Sequence, residues 1–412
     1  MLENLGKKAK EAEKVLMVAT TEQKNVALNK IADALILNAE KIVDANCKDI
    51  ENGKNNGLSE ALLDRLKLDM KRIEGMAKGV RDVVELPDPV GRVLSKTTRP
   101  NGMIIKKVST PLGVIGVIFE ARPNVTSDAA ALCLKSGNTV ILRGGKEAIY
   151  SNKTIAEIMR NAVKEAGLPE DVIQLVEDTS RDSANALMKM NQYIDILIPR
   201  GGAGLIQAVV KNATVPVIET GVGNCHIYVD KAADVDMAAD IVFNAKTDRV
   251  SVCNAAESLL IHKDIAKEAL PKIKARLDEK SVELVGDEEA VRLAEGIKTA
   301  DESDWGTEYL DYKMSVKIVA SMDEAIEHIY KYSTGHSECI ITNDEKAAEE
   351  FLNRVDSAAV YVNASTRFTD GGEFGFGAEI GISTQKLHAR GPIGLPELQS
   401  FKYKIYGKGQ TR

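Results

Sequence analysis

An α/β fold built on twisted parallel sheets is predicted for this chain, and three observations predict it. Short apolar runs rich in β-branched residues alternate with amphipathic helical stretches over most of the chain beyond about residue 103. Apolar residues make up 44% and charged residues 28%, the balance of an ordinary globular protein. With 412 residues there is enough chain for two or three domains with substantial cores.

Taken in order, residues 1 to about 85 read as helices. Thr20 and Gln23 have the spacing of a capping box ahead of Val26, Leu28, Ile31, Leu35 and Ile36. Ser59 is placed to cap a helix carrying Leu62, Leu63, Leu66 and Met70. Leu86-Pro87-Asp88-Pro89-Val90-Gly91 ends this region. Strands are expected at 103–108, 113–119, 139–142, 172–176, 194–198 and 215–218, with helices at 127–136, 148–166 and 205–211 between them. This βαβ order implies helices on both faces and right-handed crossovers. A second alternating region runs from Asp234 to about Asn363. The glycine-rich stretch from Gly371 to Gly394 reads as a long irregular loop near a site, and a strand is expected at 401–406.

The net charge of −7 is spread without a basic block, which argues against a general nucleic-acid binder but leaves room for a local cationic pocket. No apolar run approaches the ~18 residues of a membrane span. The five cysteines (47, 133, 225, 253 and 339) are scattered, with no C-x-x-C pair. Neither structural zinc nor a disulfide framework is expected, and a cytoplasmic, reducing location is.

Several constellations carry chemistry. Asp248-Arg249-Val250-Ser251-Val252-Cys253-Asn254-Ala255-Ala256-Glu257 sets one cysteine among small residues between a helical run and a strand-like one. A thiol with little bulk around it beside a chain reversal suits a nucleophile, although most cytosolic cysteines are small buried hydrophobes. Pro199-Arg200-Gly201-Gly202-Ala203-Gly204 follows a strand and opens a helix. Its glycines let the backbone approach a phosphate at the helix N-terminus, and a plain tight turn is an equal alternative. Arg143-Gly144-Gly145-Lys146 ends a strand where α/β sheets bind nucleotides, so Arg143 and Lys146 are candidates for a ribose 2′-phosphate or form a solvated basic loop. Glu219 ends another strand and is either a general base near the thiol or a loop cap. Asn124, after Arg122-Pro123, is either an oxyanion donor or a turn residue, with Thr126 and Ser127 as caps for the next helix. The five histidines are dispersed and show no triad logic. Each is taken as structural or surface, with His388 the one to watch.

Together these residues resemble the aldehyde dehydrogenase superfamily over nearly the whole chain. The resemblance rests on Gly116-Val117-Ile118-Phe119-Glu120-Ala121-Arg122-Pro123-Asn124-Val125-Thr126, Val252-Cys253-Asn254-Ala255-Ala256-Glu257 and Trp305-Gly306-Thr307-Glu308-Tyr309-Leu310. The most specific match is Thr366-Arg367-Phe368-Thr369-Asp370-Gly371-Gly372-Glu373-Phe374-Gly375-Phe376-Gly377-Ala378-Glu379-Ile380-Gly381. It implies an aldehyde-dehydrogenase-like fold: a Rossmann-like cofactor domain (1–90 and 112–224), an α/β catalytic domain (225–390) and a small β oligomerisation element (91–111 and 391–412). It also implies a homo-oligomer. The superfamily's nucleophile falls on Cys253, its catalytic carboxylate on Glu219, its oxyanion asparagine on Asn124, and the carboxylate that binds the nicotinamide ribose on Glu308. Arg200, Gly201 and Gly202 join Arg143 and Lys146 as cofactor-binding candidates.

Within the superfamily the chain is similar to members that reduce L-glutamyl 5-phosphate to the semialdehyde in proline biosynthesis, through a cysteine thioacyl intermediate. Where NAD-preferring relatives carry Lys-Pro-Ser-Glu, this chain has Arg143-Gly144-Gly145-Lys146. Replacing the carboxylate with a cation favours NADPH/NADP+. Arg122, Arg249, Arg367 and Arg390 are candidates for the substrate phosphate. Docking with glutamate 5-kinase, which makes the labile acyl phosphate, is a further expectation. A hydrolytic aldehyde dehydrogenase and a non-catalytic binding protein on the same fold are the alternatives.

Overall fold

The computed structural model describes residues 2–412. The chain divides into two compact units. The first takes the chain up to Thr220 with Gly375–Gly381 and Ile393–Arg412, and the second takes Gly221–Phe374 and Ile382–Pro392.

The first unit opens with the helices Leu2–Leu16, Thr21–Leu37, Ala39–Asn55, Glu60–Leu66 and Met70–Glu85. The capping box is present: the Thr20 hydroxyl accepts from the Gln23 N–H, and the Gln23 side chain accepts from the Thr20 N–H. Ser59 caps Glu60–Leu66, but that helix stops before Met70. The Leu68 N–H is taken by the buried side chain of Asn46 at 2.7 Å, which pulls the chain out of helix. Met70 instead opens the next helix, capped by Asp69.

A sheet of four parallel strands follows, in the order Ile173–Leu175, Thr139–Gly144, Val114–Phe119, Ile196–Arg200. Val114–Phe119 is buried throughout, as a strand covered on both faces must be. The chain builds outward from this strand and then returns to its other side with Ile196–Arg200. The order therefore reverses between these two strands, and their carboxyl ends frame the crevice where such sheets take ligands. Two expectations change here. The segment 215–218 is no strand; it makes only a bridge between Leu197 and Val217, because Pro216 has no N–H to donate. The next helix is Asn124–Lys135, so Thr126 and Ser127 lie inside its first turn instead of capping it, and the Ser127 hydroxyl donates to the Asn124 carbonyl at 2.8 Å. The antiparallel sheet Val93–Thr98, Ile104–Pro111, Gln399–Tyr406 also belongs to this unit.

The second unit is a sheet of seven parallel strands. Their order is Lys298–Thr299, Glu283–Gly286, Lys313–Val319, Ala256–His262, Cys225–Val229, Ser337–Ile341, Ala359–Val362. Ile227, Leu259, Ile261 and Val316 pack under the helices Val235–Thr247 and Lys263–Asp278. Tyr228, Leu260 and Ile340 on the opposite face meet Ile326, Ile329 and Phe351 of Met322–Tyr332 and Glu345–Arg354. The glycine-rich stretch is largely irregular, with one short antiparallel pair, Ile382–Ser383 and Gly391–Pro392. Among the described residues no helix is long and apolar enough to cross a membrane, and no cluster of His, Cys, Asp and Glu is fit to hold a metal.

Thr20→Ala removes the side-chain half of the capping box and is expected to lower the unfolding free energy by about 1 kcal/mol, with Thr20→Asp restoring most of it. Urea denaturation followed by circular dichroism measures this.

Candidate active site

Three adjacent strands of the second unit, Ala256–His262, Cys225–Val229 and Ser337–Ile341, run parallel and so present their amino ends together. The segments that enter them carry Cys253, Gly223 and His336. Cys253 sits in the turn after the helix Val235–Thr247 and is half-buried, whereas Cys133, Cys225 and Cys339 are buried. His336 Nε2 lies 3.2 Å from Cys253 Sγ. A neutral imidazole nitrogen at that distance can take the thiol proton and stabilise the thiolate.

The imidazole is held from behind by a chain of hydroxyls. His336 Nδ1 is 2.8 Å from Ser337 Oγ, which is 2.6 Å from Thr369 Oγ1, itself 2.7 Å from the Tyr361 hydroxyl. These contacts fix the ring's orientation. His336, grouped in the sequence with the structural or surface histidines, is fully buried against the nucleophile candidate, while His388, the one singled out there, is exposed. No sequence motif flags His336, because 83 residues separate it from Cys253 and only the strand order brings the two together.

Cys225 lies between them. Its thiol donates to the Cys253 carbonyl at 3.2 Å and is 3.7 Å from His336 Nδ1. Burial, helped by the Glu338 charge, pushes this thiol well above its ordinary range, so it stays a neutral donor. Burial likewise pushes Cys339 up to about 12. Cys253 is thus the one cysteine of the described residues with both an imidazole contact and partial access.

Gly223 sets how closely the backbones approach. A Cβ there would fall 1.5 Å from the Cys253 carbonyl oxygen. The Gly223 N–H donates to Glu308 Oε1 at 2.7 Å, and the second carboxylate oxygen of Glu308 takes no hydrogen bond from the described residues. The next side chain, Asn224, donates to the carbonyls of Trp305 and Tyr332, each at 2.9 Å. Glu308 is therefore brought beside Cys253 through one glycine. On the other side, Asn254 ties down the start of the glycine-rich motif: its amide donates to the carbonyls of Arg367 at 3.1 Å and Thr369 at 3.0 Å. The Thr366 hydroxyl donates back to the Asn254 carbonyl at 2.7 Å.

The four candidate arginines differ. Arg367 is committed to Asp248 through Nε and Nη2, each at 3.0 Å, and to the Asn254 side chain. Arg390 is committed to Asp356 through both terminal nitrogens at 2.7 Å. Arg249 is exposed and makes no ion pair among the described residues. Arg122 lies in the first unit, in the turn that leads into the helix Asn124–Lys135.

In the first unit, the crevice at the reversal of strand order gathers Glu120, Asn124, Asp128, Arg200, Gly201 and Gly202. Asn124 Nδ2 donates to Asp128 Oδ2 at 2.9 Å. Burial pushes the Asp128 carboxyl up to about 6, against the pull of its bonds from Asn124 and Ser127 and of the Arg200 charge. The Asp128 carboxyl oxygen orients one of the two amide protons of Asn124. Gly202 precedes the helix Ala203–Asn212, and its N–H donates to the Glu120 carboxylate at 3.0 Å, so an internal anion uses the N-terminal end of the helix. Arg143 Nη2 donates to the carbonyls of Thr179 and Ser180 at 2.7 and 2.9 Å, while its Nε is buried without a hydrogen-bond partner among the described residues. Lys146 is exposed on the wall of a cavity of about 320 Å³ with Asn52, Leu58, Glu147 and Tyr150. Glu219 is half-buried near the end of this unit, next to Thr220, whose hydroxyl donates to the Pro199 carbonyl at 2.7 Å.

Residues 2–295 match the family model described as the aldehyde dehydrogenase family. The chain belongs to the aldehyde dehydrogenase family. Among its relatives in that family is the gamma-glutamyl phosphate reductase of Clostridium novyi (strain NT), 62% identical over 404 residues, covering 98% of this chain and 97% of the relative. The enzyme of the same name from Heliobacterium modesticaldum is 61% identical, covering 99% and 98%. The crystal structure of the gamma-glutamyl phosphate reductase of Thermotoga maritima superposes with a TM-score of 0.98 at 50% identity, covering 100% of this chain and 99% of that one. An acetylating aldehyde dehydrogenase from Geobacillus thermoglucosidasius shares the fold at 19% identity and a TM-score of 0.72, covering 100% and 97%.

In this aldehyde dehydrogenase family member, Gly223→Ala drives a Cβ into the Cys253 carbonyl. The displaced thiol is expected to react with iodoacetamide roughly 100-fold more slowly, the order of loss for a misplacement of about 1 Å. Gly204→Ala, where nothing lies within 4 Å of the added carbon, is the silent control.

Proposed function

We propose that the chain reduces L-glutamyl 5-phosphate to L-glutamate 5-semialdehyde with release of phosphate, in proline biosynthesis, using NADPH. The observation that carries this reading is the 3.2 Å contact between His336 Nε2 and Cys253 Sγ, in a chain that matches gamma-glutamyl phosphate reductases along its length. His336 takes the thiol proton and the thiolate attacks the acyl phosphate carbonyl. The Cys253 backbone N–H stabilises the oxyanion, and the same role is assigned to Asn124 from the family resemblance alone. Phosphate leaves toward the candidate arginines, of which Arg249 makes no ion pair among the described residues. The result is a thioacyl enzyme at Cys253. NADPH, held by Arg143, Lys146, Gly201, Gly202 and Glu308, would supply the hydride that reduces this thioester. Collapse of the resulting tetrahedral alkoxide releases the semialdehyde and returns Cys253 as a thiolate beside imidazolium. No water is activated, so Glu219 need not be a deacylating base.

The cofactor fits the residues present. The buried unpartnered Nε of Arg143, the exposed ammonium of Lys146 and the side-chain-free turn at Gly201 and Gly202 suit an anionic dinucleotide, and the free oxygen of Glu308 suits a ribose hydroxyl. Arg200 adds a positive charge at the same crevice. Lys146 in place of a carboxylate supports preference for the 2′-phosphate of NADP+.

The same reading includes a cytoplasmic homo-oligomer. The strands Val93–Thr98 and Gln399–Tyr406 edge their sheet and expose Val93, Leu94, Phe401, Tyr403, Ile405 and Tyr406. Segments 91–111 and 399–412 carry cations but no carboxylate, in a chain of net charge −7, so an acidic face of a second copy complements them. Docking with glutamate 5-kinase is proposed from the lability of the acyl phosphate alone.

Run in reverse with glutamate semialdehyde and NADP+, the enzyme is expected to form NADPH only when phosphate is present. Phosphate-independent formation would replace this reading with a hydrolytic dehydrogenase. His336→Ala is expected to lower kcat/KM by about 100-fold or more near pH 7, with partial recovery toward pH 9 as the free thiol ionises near ~8.5. Lys146→Ala is expected to raise the KM for NADPH on the order of 10-fold while leaving that for NADH unchanged, which steady-state kinetics with both cofactors measures.

A further inference from the structure

Lys246 is the last residue but one of the helix Val235–Thr247, and Glu257 is the second residue of the strand Ala256–His262. The nucleophile loop, 248–255, lies between them. The ammonium and carboxylate meet at 2.5 Å, and neither side chain is exposed at all. The pair therefore closes the base of the loop that holds Cys253. The second oxygen of Glu257 accepts the Leu310 N–H at 3.2 Å. Leu310 has φ +55°, a left-handed conformation that a leucine adopts only when its surroundings impose it. Two residues earlier, Glu308 takes the Gly223 N–H at 2.7 Å, and Gly223 lies against the Cys253 carbonyl. The contacts form a circuit from both ends of the nucleophile loop through Glu257, Leu310, Glu308 and Gly223 back to Cys253.

We propose that Lys246 and Glu257 are positioning residues whose buried ion pair sets the placement of Cys253 and of Glu308. The inference rests on the reading of Cys253 as the nucleophile. Stability alone is a poor account of the pair, because the desolvation of two buried charges offsets most of their attraction and an apolar pair of similar volume commonly serves as well. Burial pushes the Glu257 carboxyl up even with Lys246 beside it, and pushes the Lys246 ammonium down, so burial works against both charges. What an apolar pair cannot do is give the strained Leu310 N–H an acceptor and so hold Glu308.

The test uses the full-length protein without cofactor and three readouts: the rate of Cys253 alkylation by iodoacetamide, the NADPH Kd by fluorescence, and Tm. Cys253→Ser supplies the background from exposed Cys47. The double variant Lys246→Met with Glu257→Leu is expected to stay folded, to alkylate at least about 10-fold more slowly, and to bind NADPH about 10-fold more weakly. Glu257→Gln keeps an acceptor for Leu310 and is expected to retain most of the NADPH affinity. A folded double variant with wild-type alkylation and NADPH affinity overturns the inference. So does unfolding of both variants, which would make the pair structural only. A wild-type protein that alkylates no faster than Cys253→Ser removes the nucleophile reading itself, and this inference with it, a result distinguishable from the others.

Discussion

The backbone of Gly223 lies against the carbonyl of Cys253, and the arrangement of side chains around the Cys253 thiol depends on that approach. A side chain at residue 223 would overlap the Cys253 main chain, so only glycine lets the segments before Cys225–Val229 and Ala256–His262 come together. The same glycine donates its N–H to Glu308, which links the Cys253 turn to a carboxylate far along the chain. With that approach made, Cys225 falls beneath Cys253, and His336 at the head of the next strand faces the thiol. The site thus forms at the amino ends of three parallel strands. The segments that enter a strand carry its groups, and the regular hydrogen-bonded sheet behind them holds each rigidly.

Electrostatics divides the polar groups by accessibility. Cys225 is kept neutral by burial, so it serves as a thiol donor and does not compete as a nucleophile. Arg367 and Arg390 spend their charge on Asp248 and Asp356, which braces loops around the site. In the first unit, Asp128 orients Asn124, and Glu120 occupies the N–H that opens the helix Ala203–Asn212. A dinucleotide phosphate arriving at that helix would have to share or displace the Glu120 carboxylate. A helix N-terminus already holding an anion is still an anion site, but one with a competitor built in.

Much of the fold was legible in the sequence because it follows from local periodicity. The early helices, the capping box at Thr20, the buried strand Val114–Phe119 and the irregular glycine-rich segment follow from patterns a few residues long. The misses have equally local causes. Pro216 defeats strand pairing despite its apolar neighbours, and the side chain of Asn46 ends a helix that periodicity alone would have carried on to Met70.

By itself the sequence determined the α/β class, the small-residue setting that marks Cys253 among five cysteines, and the cations at Arg143 and Lys146, since composition and short-range spacing encode these. Only the tertiary structure decided the partner of the thiol. His336 is 83 residues away from Cys253 and has no motif around it, and the strand order that seats Cys225–Val229 between the other two strands brings them to 3.2 Å. The structure likewise decided which arginines are already paired and that Lys246 and Glu257 close the loop that carries Cys253. Such contacts depend on which strands are neighbours, and nearest-neighbour sequence patterns do not carry that information.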